Sequence, residues 1–195
     1  MNNKILYSIL GIIAIALVFI SFLYYTSNTS IVIDKTTVTS PKNATYMIEG
    51  QPVTLVDGVS VVPTSPGSAT TVTTRYFGNE VTHDLDGDGR FDTVFLLTQN
   101  RGGSGTFYYV VAALNKVNGY VGSHGLFLGD RIAPQTTEMS QNPSTPNVIV
   151  VNYADRRVGE SFATPPSMGK SIWLLLDTKT MQFGEVVQNF EGEAE

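Results

Sequence analysis

The sequence contains no cysteine. That absence removes disulfides, thiolate metal sites and thiol nucleophiles, and with them the lipid-modified cysteine of a lipoprotein. Charge is also scarce. Asp, Glu, Lys and Arg make up 15% of the 195 residues, against about 25% in ordinary globular domains. The net charge is −5, and the only adjacent basic pair is Arg156-Arg157. Nucleic-acid binding rests on clustered Lys and Arg, so no nucleic acid is expected as a partner. Histidine occurs twice, at His83 and His124, and neither is accompanied by a nucleophile-elbow sequence. Gly102-Gly103-Ser104-Gly105 is not followed by the Lys-Ser/Thr of a phosphate loop, so it reads as a hairpin connection. With no catalytic set in view, enzymatic activity is not expected, and a hydrolase is kept only as the alternative.

Two features stand out against this background. The first is an uncharged run of 21 residues, Ile5–Tyr25. As a helix it would extend roughly 30 Å, the thickness of a hydrocarbon core. Lys4 precedes it and Tyr24-Tyr25 close it, as interfacial aromatics do. A cleaved signal peptide has a shorter apolar region and a small-residue cleavage site. The expectation is therefore a retained anchor over residues 1–25 and a single-pass membrane protein. A Thr/Ser-rich linker over 26–44 and an extracytoplasmic domain over 45–195 complete this layout.

After residue 25 no amphipathic helical period is visible, and apolar residues alternate instead. Val53–Val56 and Val59–Val62 flank Asp57-Gly58, a pair suited to the two positive φ angles of a type I′ hairpin turn. Further strands are expected at Val72–Val81 (bent at Gly78), Thr93–Thr98, Thr106–Leu114, Tyr120–Leu128 (broken by Gly122 and Gly125), Val148–Tyr153, Ile172–Leu176 and Met181–Val187. Many short strands with turn residues between them predict an all-β domain, a largely antiparallel sandwich or partly closed barrel, behind the one N-terminal transmembrane helix.

The second feature is Asp84-Leu85-Asp86-Gly87-Asp88-Gly89-Arg90-Phe91-Asp92, where four of the 17 acidic residues fall in nine positions. Calcium takes six to eight oxygens from carboxylates, backbone carbonyls and water. Asp84, Asp86 and Asp88 at loop positions 1, 3 and 5 can converge on one ion. Gly89 permits the sharp turn, Arg90 offers its backbone carbonyl, and Asp92 closes the set. Phe91 and Val94-Phe95 would tie the loop to a core strand. Magnesium is disfavoured by its strict octahedral geometry. The plain alternative is an Asp/Gly-rich turn that holds no metal. Position 12 is Phe95 rather than the bidentate Glu of an EF-hand.

The nine-residue form resembles the calcium loop of integrin-type FG-GAP repeats, which joins two strands and has its fourth acidic position at 9. The resemblance covers about fifteen residues and does not extend to a propeller. Further along the chain, Tyr46-Met47-Ile48-Glu49-Gly50, Arg75-Tyr76-Phe77-Gly78, Leu128-Gly129-Asp130-Arg131 and Val151–Arg156 occur in an order similar to an uncharacterised group of bacterial cell-envelope proteins. That resemblance implies an envelope location and no activity. Taken together, the expected function is a membrane-anchored extracytoplasmic binding or interaction module with a structural calcium site, whose ligand is an envelope protein or glycan. The alternative is a cell-envelope hydrolase. Asp130-Arg131 and Asp155-Arg156-Arg157 read as ion pairs bracing loops, or as a polar ligand cleft with Tyr153.

Overall fold

The computed structural model describes residues 39–187. Apart from a short 3-10 turn at Pro41–Asn43, the regular structure is twelve strands. They are β1 Thr45–Ile48, β2 Gln51–Thr54, β3 Val59–Pro63, β4 Thr71–His83, β5 Asp92–Asn100 and β6 Phe107–Lys116. These are followed by β7 Gly119–Gly122, β8 Leu126–Asp130, β9 Ala133–Met139, β10 Val148–Asp155, β11 Met168–Asp177 and β12 Gln182–Glu185. They form a six-stranded sheet in the order β3-β4-β5-β6-β7, with β8 also on β6, a four-stranded sheet β12-β11-β10-β9, and a two-stranded ribbon β1-β2. Every named strand pair is antiparallel.

The all-β expectation is met, but the transmembrane helix placed before it is not. Among the described residues no helix is long and apolar enough to cross a membrane. The 3-10 turn Pro41–Asn43 has three residues, about 6 Å at 2 Å per residue, where roughly 30 Å is needed. The run Ile5–Tyr25 itself lies outside the described residues, as does most of the 26–44 stretch. The signal anchor, the membrane as partner, the single-pass topology and the extracytoplasmic, cell-envelope placement are corrected accordingly and are not carried forward.

Residue parity explains how the layers stack. Side chains alternate across a strand, and β5 and β6 are apolar at successive positions, so both faces must be covered. Val94, Leu96, Val110, Ala112 and Leu114 point to one face, where they meet Ile149, Val151, Leu174 and Leu176 of the four-stranded sheet. Phe95, Leu97, Tyr109, Val111 and Ala113 point to the other, where Ala44, Tyr46, Ile48, Val53 and Leu55 cover them. The central sheet thus lies between two cores. Burying one large apolar side chain contributes roughly 1.5–3 kcal/mol, so the β1-β2 ribbon is held by its core contacts more than by its four-residue ladder.

The turn at Asp57-Gly58 has positive φ at both positions, 50° and 82°. The strands it joins nevertheless belong to different sheets. Only the Val56–Val59 bridge of the expected hairpin forms, after which β2 joins β1 and β3 joins β4. β4 bends at Gly78, where its register with β5 shifts on both sides of that residue. The Tyr120–Leu128 stretch, expected to be broken at Gly122 and Gly125, is two strands separated there, and both pair with β6 at successive stations along it. β1 crosses their junction closely. Met47 N–H donates to Ser123 O, and a Cβ added at Gly122 would run into the Thr45 carbonyl and the Tyr46 ring.

Candidate metal centre

The Asp84–Asp92 loop joins the end of β4 to the start of β5, with His83 and Asp92 paired across its base. Its winding follows from its alternation of Asp and Gly. The Asp84 carboxylate accepts from the backbone N–H groups of Gly87 (2.8 Å), Asp88 (3.1 Å) and Gly89 (2.9 Å). Asp86 Oδ1 accepts from Asp88 N–H at 3.1 Å, and Asp88 Oδ1 accepts from Arg90 N–H at 3.0 Å. Each short side chain therefore bends the chain back over itself two to five residues on. Gly89 has φ +83°, and no atom lies within 4 Å of where its Cβ would be. Its backbone conformation is what demands glycine there.

The coil brings Asp84, Asp86 and Asp88 together. One carboxylate oxygen from each lies within 4.8 Å of the others, a grouping that can hold a metal ion. Asp92 is placed differently. It is fully buried, and its two oxygens accept from Asn115 N–H at 2.7 Å and Leu85 N–H at 2.9 Å. Burial pushes its pKa up, the two amide donors pull it down, and the charges of Asp86 and Asp88 push it up again. Asp92 thus fastens the loop to β6, while the other three carboxylates form the converging group.

Two cations complete the cluster. Arg90 Nη2 pairs with Asp88 Oδ2 at 2.5 Å, and its Nε donates to Asn115 O at 2.6 Å. Lys116 Nζ bridges Asp86 and Asp88, with its Asp88 contact at 3.4 Å. Its hydrogen bond to Asp86 is the main influence holding its pKa above the usual lysine range. Lys116 was not foreseen from the sequence, because it lies 28 positions from Asp88 and arrives only through the β5–β6 register. Phe91 does not anchor the loop as expected, being 71% exposed, whereas Leu85 is buried in the core between the two larger sheets.

The residues considered for catalysis or a second ligand cleft are committed elsewhere. His83 meets Asn147 Oδ1 at 3.1 Å, and His124 is held through its backbone, whose N–H donates to Met181 O. Asp130 pairs with Arg131 at 2.8 Å, while Asp155 pairs with Lys170 at 2.6 Å rather than with an arginine. Arg156 donates instead to Thr164 O and Arg131 O, and it shares the Phe162 ring with Arg131. Tyr153 is a core residue between the sheets, so it does not line a cleft with Asp155.

No protein-family model, curated protein or solved structure matches this chain.

The resemblances to FG-GAP loops and to envelope proteins therefore gain no support outside the motif itself. The membrane-anchored interaction module and the envelope hydrolase are both corrected to an all-β domain bearing an acidic cluster.

Proposed function

We propose that the Asp84–Asp92 loop binds one calcium ion, in the manner of an FG-GAP-type loop, and that the ion is structural. It would fix the connection between β4 and β5 and so stiffen the central sheet at the ends of two interior strands. The observation that carries this reading is the convergence of the Asp84, Asp86 and Asp88 carboxylates within 4.8 Å. Two further points support it. Four carboxylates against Arg90 and Lys116 leave two negative charges, matching one divalent ion. Donor capacity is also in hand, since a carboxylate has about four lone-pair directions and Asp92 uses two. Asp84, Asp86 and Asp88 are the proposed side-chain ligands, with the Arg90 carbonyl and a free lone pair of Asp92 completing the shell. Several carboxylates on a coiled, irregular loop suit calcium better than magnesium, which demands near-ideal octahedral geometry and binds through one or two carboxylates with retained waters.

A second reading has its own observation. The ammonium of Lys116 already bridges Asp86 and Asp88, so the closest carboxylates are partly neutralised by the protein's own cation and the turn can stand without a metal. Calorimetric titration of the full chain separates the two. The calcium reading predicts one-to-one binding of calcium, weaker binding of magnesium, and affinity lowered at least tenfold by Asp86→Asn. Absence of calcium heat up to millimolar concentration would establish the metal-free reading.

A further inference from the structure

A cleft lies at the opposite end of β5 from the acidic loop, where two strands part. β2 and β3 leave the Asp57-Gly58 turn side by side, and continuing their pairing beyond the Val56–Val59 bridge would set Pro52 opposite Pro63. Proline has no N–H to donate to a ladder. No pairing forms there, and β2 joins β1 while β3 joins β4. The cleft has a volume of about 490 Å³, within the range of small-molecule sites. Ile48, Val53, Val62, Val72 and the two prolines give it apolar walls, and Glu49, Gln99 and Arg101 give it a polar end. The remaining polar side chains are Thr64, committed to Ser68 and Thr70, and the exposed Gln51.

The polar end is held by a network. Glu49 and Gly50 form the turn between β1 and β2, with φ +50° and +76°. Such a turn favours Asn, Asp or Gly at its first position, and a longer side chain is disfavoured there. What Glu49 adds is reach. Its Oε1 accepts from Tyr109 Oη at 2.7 Å and pairs with Arg101 Nη2 at 2.6 Å. Arg101 is fixed in turn. Its Nε donates to Gln99 Oε1 at 2.8 Å, its Nη2 donates to Tyr109 Oη at 2.7 Å, and the guanidinium stacks on Phe107 at 4.6 Å. Gln99 is buried and donates to Thr74 at 3.2 Å. An isolated surface ion pair lacks this support. Among the described residues, Glu49 Oε2 and Arg101 Nη1 have no hydrogen-bond partner. They leave a carboxylate acceptor and guanidinium N–H donors on anchored side chains that line the cleft.

The chemistry of this lining selects a ligand class. Glu49 and Arg101 cancel in charge, so an ionic ligand has to break their pair before making its own. A polyol would set hydroxyls against Val and Pro, where they lose water and gain no partner. A trans amide points its N–H and C=O in opposite directions, so an extended peptide meets only one of the two free groups. A cis amide presents both on one edge, and outside rings that form is rare. We propose that the cleft binds a small, uncharged cyclic amide with an apolar body, a lactam or cyclic dipeptide, whose N–H donates to Glu49 Oε2 and whose C=O accepts from Arg101 Nη1. Its hydrocarbon part lies against Val53, Val62 and Val72. The site needs neither the acidic loop nor a metal.

The test is an amide-spectrum titration of the isotope-labelled full chain with two probes, caprolactam and cyclo(Leu-Pro), each with one secondary amide, held cis by its ring. The backbone amides of Glu49 and Gly50 and the side-chain amide of Gln99 should shift saturably, with a dissociation constant for cyclo(Leu-Pro) below about 1 mM. Two controls keep a similar apolar body and lose the edge: cyclo(Leu-Pro) N-methylated at that amide, and N-acetyl-leucine methylamide, whose amides are trans. Each should bind about tenfold more weakly. Glu49→Asn suits the turn but is one methylene shorter, so it should keep the ribbon's amide pattern and weaken cyclo(Leu-Pro) binding about tenfold. The proposal is overturned by no shift with either probe up to about 10 mM, by equal binding of either control, or by unchanged affinity in Glu49→Asn. Equal binding of the N-methylated compound means adhesion to the apolar walls only. The comparison of compounds needs no variant, so a misfolded substitution leaves the test intact.

Discussion

Asp92 is the residue at which loop and sheet meet. A fully buried carboxylate has to be hydrogen-bonded to be tolerated, and here the partners are the amides of Leu85 on one side and Asn115 on the other. Asp92→Ala takes the acceptor from the buried Leu85 N–H and the half-buried Asn115 N–H, and we expect a loss of about 2–4 kcal/mol, readable by urea denaturation in EDTA so that metal plays no part. Lys116 acts oppositely. It competes for the carboxylates that a calcium ion would use, so Lys116→Met should tighten calcium affinity several-fold while leaving the metal-free fold close to its original stability. Unchanged affinity would mean that the lysine does not share the site. Asp130 gives a pH prediction. Its hydrogen bond to Arg131 is the main influence depressing its pKa, against some loss of hydration. A depressed acid contributes stability that is complete above its ordinary value and lost as pH falls through the folded one. The melting temperature of Asp130→Asn should therefore trail the wild type above about pH 4 and converge with it near pH 2.

At the scale of elements, the strongest constraint is the close crossing of β1 over the β7–β8 junction. Gly122→Ala would push a methyl group into the Thr45 carbonyl and the Tyr46 ring. Overpacking of this kind costs about 1–3 kcal/mol, and the ribbon β1-β2 should show the first loss of amide protection in hydrogen exchange. The strands themselves were largely readable. The runs around Phe95, Val110, Val150 and Leu174 are apolar enough to announce buried strands, and the Asp57-Gly58 turn was identified by chemistry alone. What was not readable was partnership. A type I′ turn predicts that two strands start side by side, not that they remain so, and the opposed prolines 52 and 63 had their meaning only once the register was known. β9 was missed because Ala133-Pro134-Gln135-Thr136-Thr137 has neither apolar alternation nor freedom from proline. It can be a strand because it is an edge strand, paired on one side with β10. At the metal loop the spacing of Asp84, Asp86 and Asp88 foretold their convergence. The separate role of Asp92 and the arrival of Lys116 depend on β6, which local spacing does not contain.

For the whole molecule, the proposed divalent cation would complete a fold whose two cores are otherwise built from apolar parity. The loop that would hold it connects β4 and β5, and β5 contributes side chains to both cores. An ion bound there reports on the entire central sheet rather than on one turn. The stabilisation expected from a ligand at a hundredfold excess over its dissociation constant is about 2.7 kcal/mol. In a domain of this size that corresponds to a rise in melting temperature of roughly 5–10 °C. Asp88→Asn should abolish most of that rise without preventing folding. The measurement that decides is the thermal midpoint of the full chain in millimolar calcium against the same chain in EDTA. A midpoint several degrees higher in calcium, absent in Asp88→Asn, is the predicted result. Identical midpoints in calcium and EDTA would contradict it.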